Sequence, residues 1–242
     1  MTAPERAGVQ ALDDPVWGSL TGAHAELAEV VGVDGGRAGR YQTDVAPFGA
    51  VEDPADASGW DALAELLAGH ATCVLVEPAD LPPGWDVVTV IPGVQMDGTG
   101  LEPAPDPAAI ALTDADVPEM LDLVERTRPG PYRPRTIRMG GYLGIRHDGE
   151  LIAMAGRRLH PPGWVEISAV CTDPRHRARG LGTRLVRAVA AGIREGGEVP
   201  FLHASTDNTG AIRLYEALGF TVRRTLSFTI VRRRASPASR PR

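Results

Sequence analysis

The chain has 242 residues, 43% of them hydrophobic and 23% charged, enough to bury a large core and too apolar for a disordered chain. All 25 basic residues are arginine, which excludes every mechanism that needs a lysine, including a P-loop phosphate lysine and a Schiff base. Residues 1–100 carry 16 acids against 3 arginines (−13) and residues 101–242 carry 15 acids against 22 arginines (+7), so the second half points either to a polyanionic ligand or partner or to a solvated basic surface, until the arginines are placed on a motif.

In chain order, the first 20 residues show no periodic pattern. Ala23 to Val31 reads as a short helix and Gly32 to Gly39 as a polar loop, its glycines following no strand. Trp60 to Leu67 places Leu63, Leu66 and Leu67 on one helical face. Thr72 to Val76 and Trp85 to Ile91 read as strands around a Pro-Pro-Gly turn. Residues 97–109, with two further glycines and three prolines, have the composition of a linker. After it come a strand at Ile110 to Leu112, then a Thr113-capped helix ending near Arg128. Tyr142 to Arg146 and Leu151 to Leu159 flank Asp148-Gly149, a hairpin signal. Trp164 to Thr172 is a strand, Gly180 to Arg194 a helix, Val199 to Ala204 a strand, Asn208 to Leu218 a helix and Phe220 to Arg232 a strand. This order predicts an α+β fold, a mixed central sheet flanked by helices. It divides the chain into an N-terminal α/β subdomain (1–100), a linker (101–108), a main domain (109–235) and a disordered tail (236–242).

Other classes fall away. Cys73 and Cys171 stand far apart without metal spacing, as in a reduced cytoplasmic protein. No Gly-x-Ser-x-Gly elbow and no His-x-x-x-His pair is present, so neither a serine hydrolase nor a metal site is expected. No apolar run has membrane-spanning length. An acidic chain with 5% aromatic residues is not expected to bind nucleic acid.

The positive charge of the second half gathers at one strand-to-helix junction. Between Thr172 and the next helix lies Arg177-Ala178-Arg179-Gly180-Leu181-Gly182-Thr183, flanked by Arg175 and Arg184. Free N–H groups and the positive end of a helix dipole make such a junction an anion site. Glycines there let the backbone approach phosphate without a Cβ clash.

The spacing Arg177-x-x-Gly180-x-Gly182 resembles the pyrophosphate loop of the GNAT acyltransferase superfamily. Asn208-Thr209-Gly210-Ala211-Ile212-Arg213-Leu214-Tyr215-Glu216-Ala217-Leu218-Gly219-Phe220 resembles its following helix. The runs Glu166 to Pro174 and Pro200 to His203 look like the glycine N-acyltransferase-like branch. The resemblance covers about 105–235. The helix–strand–strand pattern before it fits a degenerate half of the same fold.

The resemblance implies an acetyl-CoA-dependent N-acetyltransferase, with a small-molecule primary amine as acceptor, no metal, and a monomeric or homodimeric state. Val170, Cys171 and Thr172 would bind the pantetheine arm through the strand edge. Arg177, Ala178, Arg179, Gly180, Leu181, Gly182 and Thr183 would hold the pyrophosphate. Asn208, with Ala211, would face the pantetheine. The amine would attack the thioester directly, with the backbone N–H near Val170 polarising the carbonyl. Glu166 is the candidate base and Tyr215 the candidate acid. Arg135 and Thr136 stand where the family often binds acceptor. Cys171 is expected as a buried apolar residue rather than a nucleophile, and His203 as a satisfied core histidine. The alternative is a non-catalytic acyl-CoA-binding regulatory module.

Overall fold

The computed structural model describes residues 11–67, 72–78 and 80–234. Helix α1 (Pro15–Leu20) forms where no pattern was visible, because the Asp14 side chain accepts from Trp17 N and Pro15 fits the first turn. Strands β1 (Ala28–Val33) and β2 (Gly36–Tyr41) pair antiparallel, correcting the helix expected at Ala23 to Val31 and the loop expected at Gly32 to Gly39. Val30, Val31 and Val33 favour a pleated surface, and only Ala25–Leu27 turns helically, as one 3-10 turn. Asp34 and Gly35 join the strands at φ +47° and +93°, the two-residue hairpin turn that the pair predicts. Strand β3 (Gly49–Val51) completes a three-stranded sheet, covered by α2 (Ala57–Leu66).

Ten further elements follow: β4 (Thr72–Val76), β5 (Trp85–Asp97), β6 (Ile110–Leu112), α3 (Val117–Thr127), β7 (Tyr142–His147), β8 (Glu150–Arg157), β9 (Trp164–Thr172), α4 (Leu181–Glu195), β10 (Val199–Ser205) and α5 (Thr209–Ala217). Strand β11 (Thr221–Arg233) is last. The eight strands from β4 onward make one mixed sheet in the order β4-β11-β5-β10-β9-β8-β7-β6. Asp148 and Gly149, at φ +50° and +86°, turn the β7–β8 hairpin as expected.

The segment expected as a linker joins two strands of this sheet. Strand β5, before it, lies between β10 and β11, which come after it. The segment crosses α4 as a strap, with Leu101 buried in the core and Ala104 N bonded to Arg187 O at 3.2 Å. Arg184 grips Asp106 through two hydrogen bonds of 2.5 and 2.9 Å. The tail expected to be disordered lies outside the described residues from 235 onward.

Helices sandwich the sheet. On one face Leu185, Val186, Val189 and Ile193 of α4 pack on Ile152, Ala153, Val165 and Ile167. Each such buried side chain contributes roughly 2 kcal/mol. On the other face Met120 and Leu123 of α3 pack on Tyr142, Met154 and Cys171, and the N-terminal elements cover Trp164, Phe201 and Phe228.

The N-terminal elements dock through a buried histidine. His24, 4% exposed, donates from Nε2 to Met139 O (2.8 Å) and accepts at Nδ1 from the Tyr41 hydroxyl (2.9 Å). Burial lowers its pKa from 6.5 to about 4. Between those values the unfolded chain binds a proton that the folded chain refuses, so stability falls as pH drops through that window. The expected loss is roughly 3 kcal/mol by pH 4. Urea midpoints from pH 7 to 4.5 should fall more steeply for the wild type than for His24→Gln; parallel slopes would refute the assignment.

Candidate active site

Strands β9 and β10 run parallel, yet only Trp164, Val165 and Glu166 pair with Val199, Pro200 and Phe201. Beyond them β9 stays with β8 as far as Thr172 and β10 with β5 as far as Ser205, so a gap opens between the two strands. A bulge shapes its β9 wall. Gly156 pairs with Ser168 and Met154 with Cys171, leaving Ala169 and Val170 opposite Ala155, with Ala169 at φ +52°. Such a bulge leaves one residue out of the ladder and re-aims its backbone, here at Val170.

Three elements converge at the mouth of this gap. A Cβ added to Gly182, in the first turn of α4, would lie 3.8 Å from Val170 Cγ1 on β9 and 3.9 Å from Leu214 Cδ2 on α5. Gly180 starts α4 at φ +72°, and no side chain caps the helix, so its first N–H groups remain available to an anion. Ala178 is also left-handed (φ +60°), the conformation from which anion-binding nests are built. Arg177, Ala178, Arg179 and Gly180 are exposed, Gly182 and Thr183 half-buried, and Leu181 is core.

The cation cluster is smaller than the sequence suggested. Arg175 is bound to Asp173 and Glu150, and Arg184 to Asp106, whereas no carboxylate pairs with Arg177 or Arg179 among the described residues. Asp173, 1% exposed, also holds Arg126. Sequence reasoning missed Asp106 and Arg126, because only the fold brings them to the loop, and it missed Asp173, although that residue stands two before Arg175.

On α5, Asn208 Oδ1 accepts from Ala211 N at 3.2 Å, so the residue caps its helix and leaves its amide donors exposed. Tyr215 is 8% exposed and packs edge-on to Phe220 at 5.8 Å. Burial, reinforced by Cys171, pushes its hydroxyl up to about 12, so it keeps its proton throughout the working range. Ala211 packs beside it against the same core. Cys171 is 7% exposed and burial pushes its thiol up to about 11, which fits the small apolar role expected for it.

Glu166 is not placed as a base. It is fully buried, and Arg158 grips both its oxygens, Nε to Oε2 at 2.8 Å and Nη2 to Oε1 at 2.6 Å. His203 Nδ1 donates to Oε1 at 2.7 Å, and Leu159 N reaches Oε2 at 3.2 Å. Burial raises this carboxyl, but Arg158 and His203 overcome it and hold it well below the ordinary range. His203 is satisfied as expected: its Nε2 accepts from Gln95 Nε2 at 3.1 Å. Gln95 in turn accepts from Arg223 at 2.8 Å.

Arg135 and Thr136 also serve the fold. Thr136, 2% exposed, donates to Val45 O at 2.6 Å and accepts from Arg133 N at 2.8 Å. Arg135 holds Gln42 at 2.7 Å and Asp44 at 3.2 Å. Together they staple residues 42–45 to the loop before β7. Beside that loop lies a groove of about 390 Å³, lined by Thr113, Asp114, Arg138, Gly140, Gly141 and Tyr142.

Comparison with known proteins decides the family. The crystal structure of a GNAT-family protein from Novosphingobium aromaticivorans superposes with a TM-score of 0.82 at 43% identity. It covers 92% of this chain and 98% of its own. N-alpha-acetyltransferase RimI of Mycobacterium tuberculosis is 34% identical over 121 residues, 46% of this chain and 75% of RimI. The chain belongs to the GNAT acetyltransferase family. A family profile described as FR47-like protein matches residues 142–229, within the half that carries the GNAT motifs. Mycothiol acetyltransferase of Mycolicibacterium paratuberculosis is 30% identical over 165 residues, and the chain spans 50% of its length. The Novosphingobium match has to include most of the first 100 residues, so the N-terminal elements are part of this GNAT architecture.

Proposed function

We propose that this GNAT protein transfers the acetyl group of acetyl-CoA to an α-amino group by direct attack in a ternary complex. The gap between β9 and β10 carries the reading, because an uncapped glycine helix start and a bulged strand edge meet at its mouth, beside the helix that carries Tyr215. Arg177 to Thr183 receive the pyrophosphate, and the β9 edge at Val170 to Thr172, with Asn208, holds the pantetheine. The N–H at the Val170 bulge polarises the thioester carbonyl. Tyr215 donates to the sulfur as negative charge develops there.

Burial of Glu166 narrows the acceptor. An alkylammonium with a pKa of about 10.4 is neutral about once in a thousand at pH 7.4 and needs a base. The α-amino group of a peptide, at about 7.7–8, is roughly a fifth to a third neutral and needs only water to take its proton. RimI, by its name, acetylates α-amines. The glycine N-acyltransferase-like branch rests on residues 166–174 and 200–203 alone and implies a free amino acid as acceptor, so we place it second.

A thiol-release assay over α-amino peptides, amino acids and alkylamines tests this. The peptide α-amines should give the higher kcat/KM at pH 7, rising with pH to about 8. Tight acetyl-CoA binding without release for any amine would instead make the chain an acyl-CoA-binding module. Tyr215→Phe should lower kcat by about 10- to 100-fold with KM for acetyl-CoA within about threefold. An unchanged kcat with chemistry limiting would remove Tyr215 from the reaction.

A further inference from the structure

Strand β5 outruns one of its two neighbours. On one side β11 pairs with it from Trp85 to Asp97, whereas on the other β10 pairs only with Gly93 to Asp97. The last contact on that second side is Thr206 N donating to Pro92 O at 3.1 Å. Among the described residues nothing pairs with that side of residues 85–91. An antiparallel strand turns the backbone groups of alternate residues to the same side, so Val90 directs its N–H and C=O to the open side, as Pro92 directs its C=O.

The side chains of this edge are bare as well. Val87, Val88, Val90 and Ile91 are 52%, 48%, 51% and 40% exposed. Successive strand residues face opposite ways, so both faces of the edge are apolar and open. Folded proteins usually shorten, charge or cover such an edge, because it pairs with any free strand. Residues 87–96 contain no ionisable side chain, so the segment that fits here is extended and uncharged.

The open edge begins where the gap does. Strands β9 and β10 run parallel, and Glu166 opposite Phe201 is their last pair. Four residues further along each strand, Val170 and Ser205 stand at about the same height on the two walls of the gap. Thr206 comes next, and the uncovered part of β5 continues from it. A peptide laid antiparallel on β5 extends the line of β10 in β10's own direction, with its first residue beside Thr206. Its α-amino group then lies at the mouth of the gap. The parallel orientation would bring the carboxyl end there instead.

We propose that residues 86–91 of β5 bind the acceptor as an added antiparallel strand, the acceptor being the extended, uncharged N-terminal segment of a peptide; this rests on the acetyl-transfer reading. Backbone bonds to Val90 fix its direction, and Val87, Val90 and Ile91 favour apolar and β-branched side chains beside them.

Serine amide and the hexapeptide Ser-Val-Thr-Val-Thr-Ser amide both offer an α-amine, but only the second offers a strand. The wild type should acetylate the hexapeptide with a kcat/KM about tenfold or more above that of serine amide. Val90→Pro removes one N–H at an exposed edge position, where proline is tolerated, and should cost the hexapeptide about tenfold. Serine amide turnover, KM for acetyl-CoA and the melting temperature should not change. Val90→Thr keeps the N–H and should match the wild type. In hydrogen-exchange mass spectrometry the hexapeptide should slow residues 86–91 of the wild type. Equal kcat/KM for the two acceptors without slowed exchange would overturn the proposal. Slowing that rises with protein concentration and needs no peptide would give the edge to a second copy of the chain and overturn it too. Failure to acetylate any α-amine would remove the acetyl-transfer reading, while the exchange comparison would still decide whether the edge takes a strand.

Discussion

Replacing Glu166 by alanine is expected to destabilise the folded protein by about 3–5 kcal/mol. The carboxylate is fully buried and the Arg158 side chain is 9% exposed, so the change strands a guanidinium in the interior. It also removes the acceptor of His203 Nδ1 and of Leu159 N. Against a total stability of about 5–15 kcal/mol, that loss lowers the urea midpoint by a large fraction. Replacing both partners together, Glu166→Leu with Arg158→Met, should recover much of it, because the cost lies in the uncompensated charge. A Glu166→Ala protein as stable as the wild type but catalytically dead would restore Glu166 as the base and contradict the structure's account.

The second large effect is expected at Gly182. A leucine there would project between Val170 and Leu214, into the mouth of the gap. The first atom of that side chain meets its neighbours at 3.8 and 3.9 Å, an ordinary contact, so folding should be little disturbed. Ligand approach is disturbed instead, since the backbone of the first turn of α4 must meet the pyrophosphate closely. Titration calorimetry should show acetyl-CoA affinity falling by about 100-fold or more, which is about 2.7 kcal/mol or more. Affinity within threefold of the wild type would place the pyrophosphate elsewhere.

What the sequence revealed and what it hid divide along contact range. The junction at residues 177–183 and the helix from Asn208 to Leu218 were legible because their chemistry is local: glycine spacing, a cap, a dipole. The Asp148-Gly149 hairpin was legible for the same reason. Asp34-Gly35 carried the same signal and was passed over, since the surrounding Val-Gly-Val pattern has no long strand period.

Glu166 was misread for a different reason. Its partners stand 8 and 37 residues away, at Arg158 and His203, and only the pairing of β8, β9 and β10 brings them together. Arg184 and Asp106 meet across 78 residues, which turned an expected linker into a strap and removed one cation from the loop. The insertion of β5 between β10 and β11 is equally non-local, and no pattern within residues 85–97 signals it.

A crystal structure of the protein with coenzyme A tests the central claim most directly. The account predicts pyrophosphate oxygens within hydrogen-bonding distance of the N–H groups of Gly180 to Thr183. It also predicts the pantetheine arm running between β9 and β10 along Val170 to Thr172, with the sulfur beside Tyr215. Coenzyme A bound outside that gap, or a gap closed by pairing of β9 with β10 beyond Glu166, would contradict it.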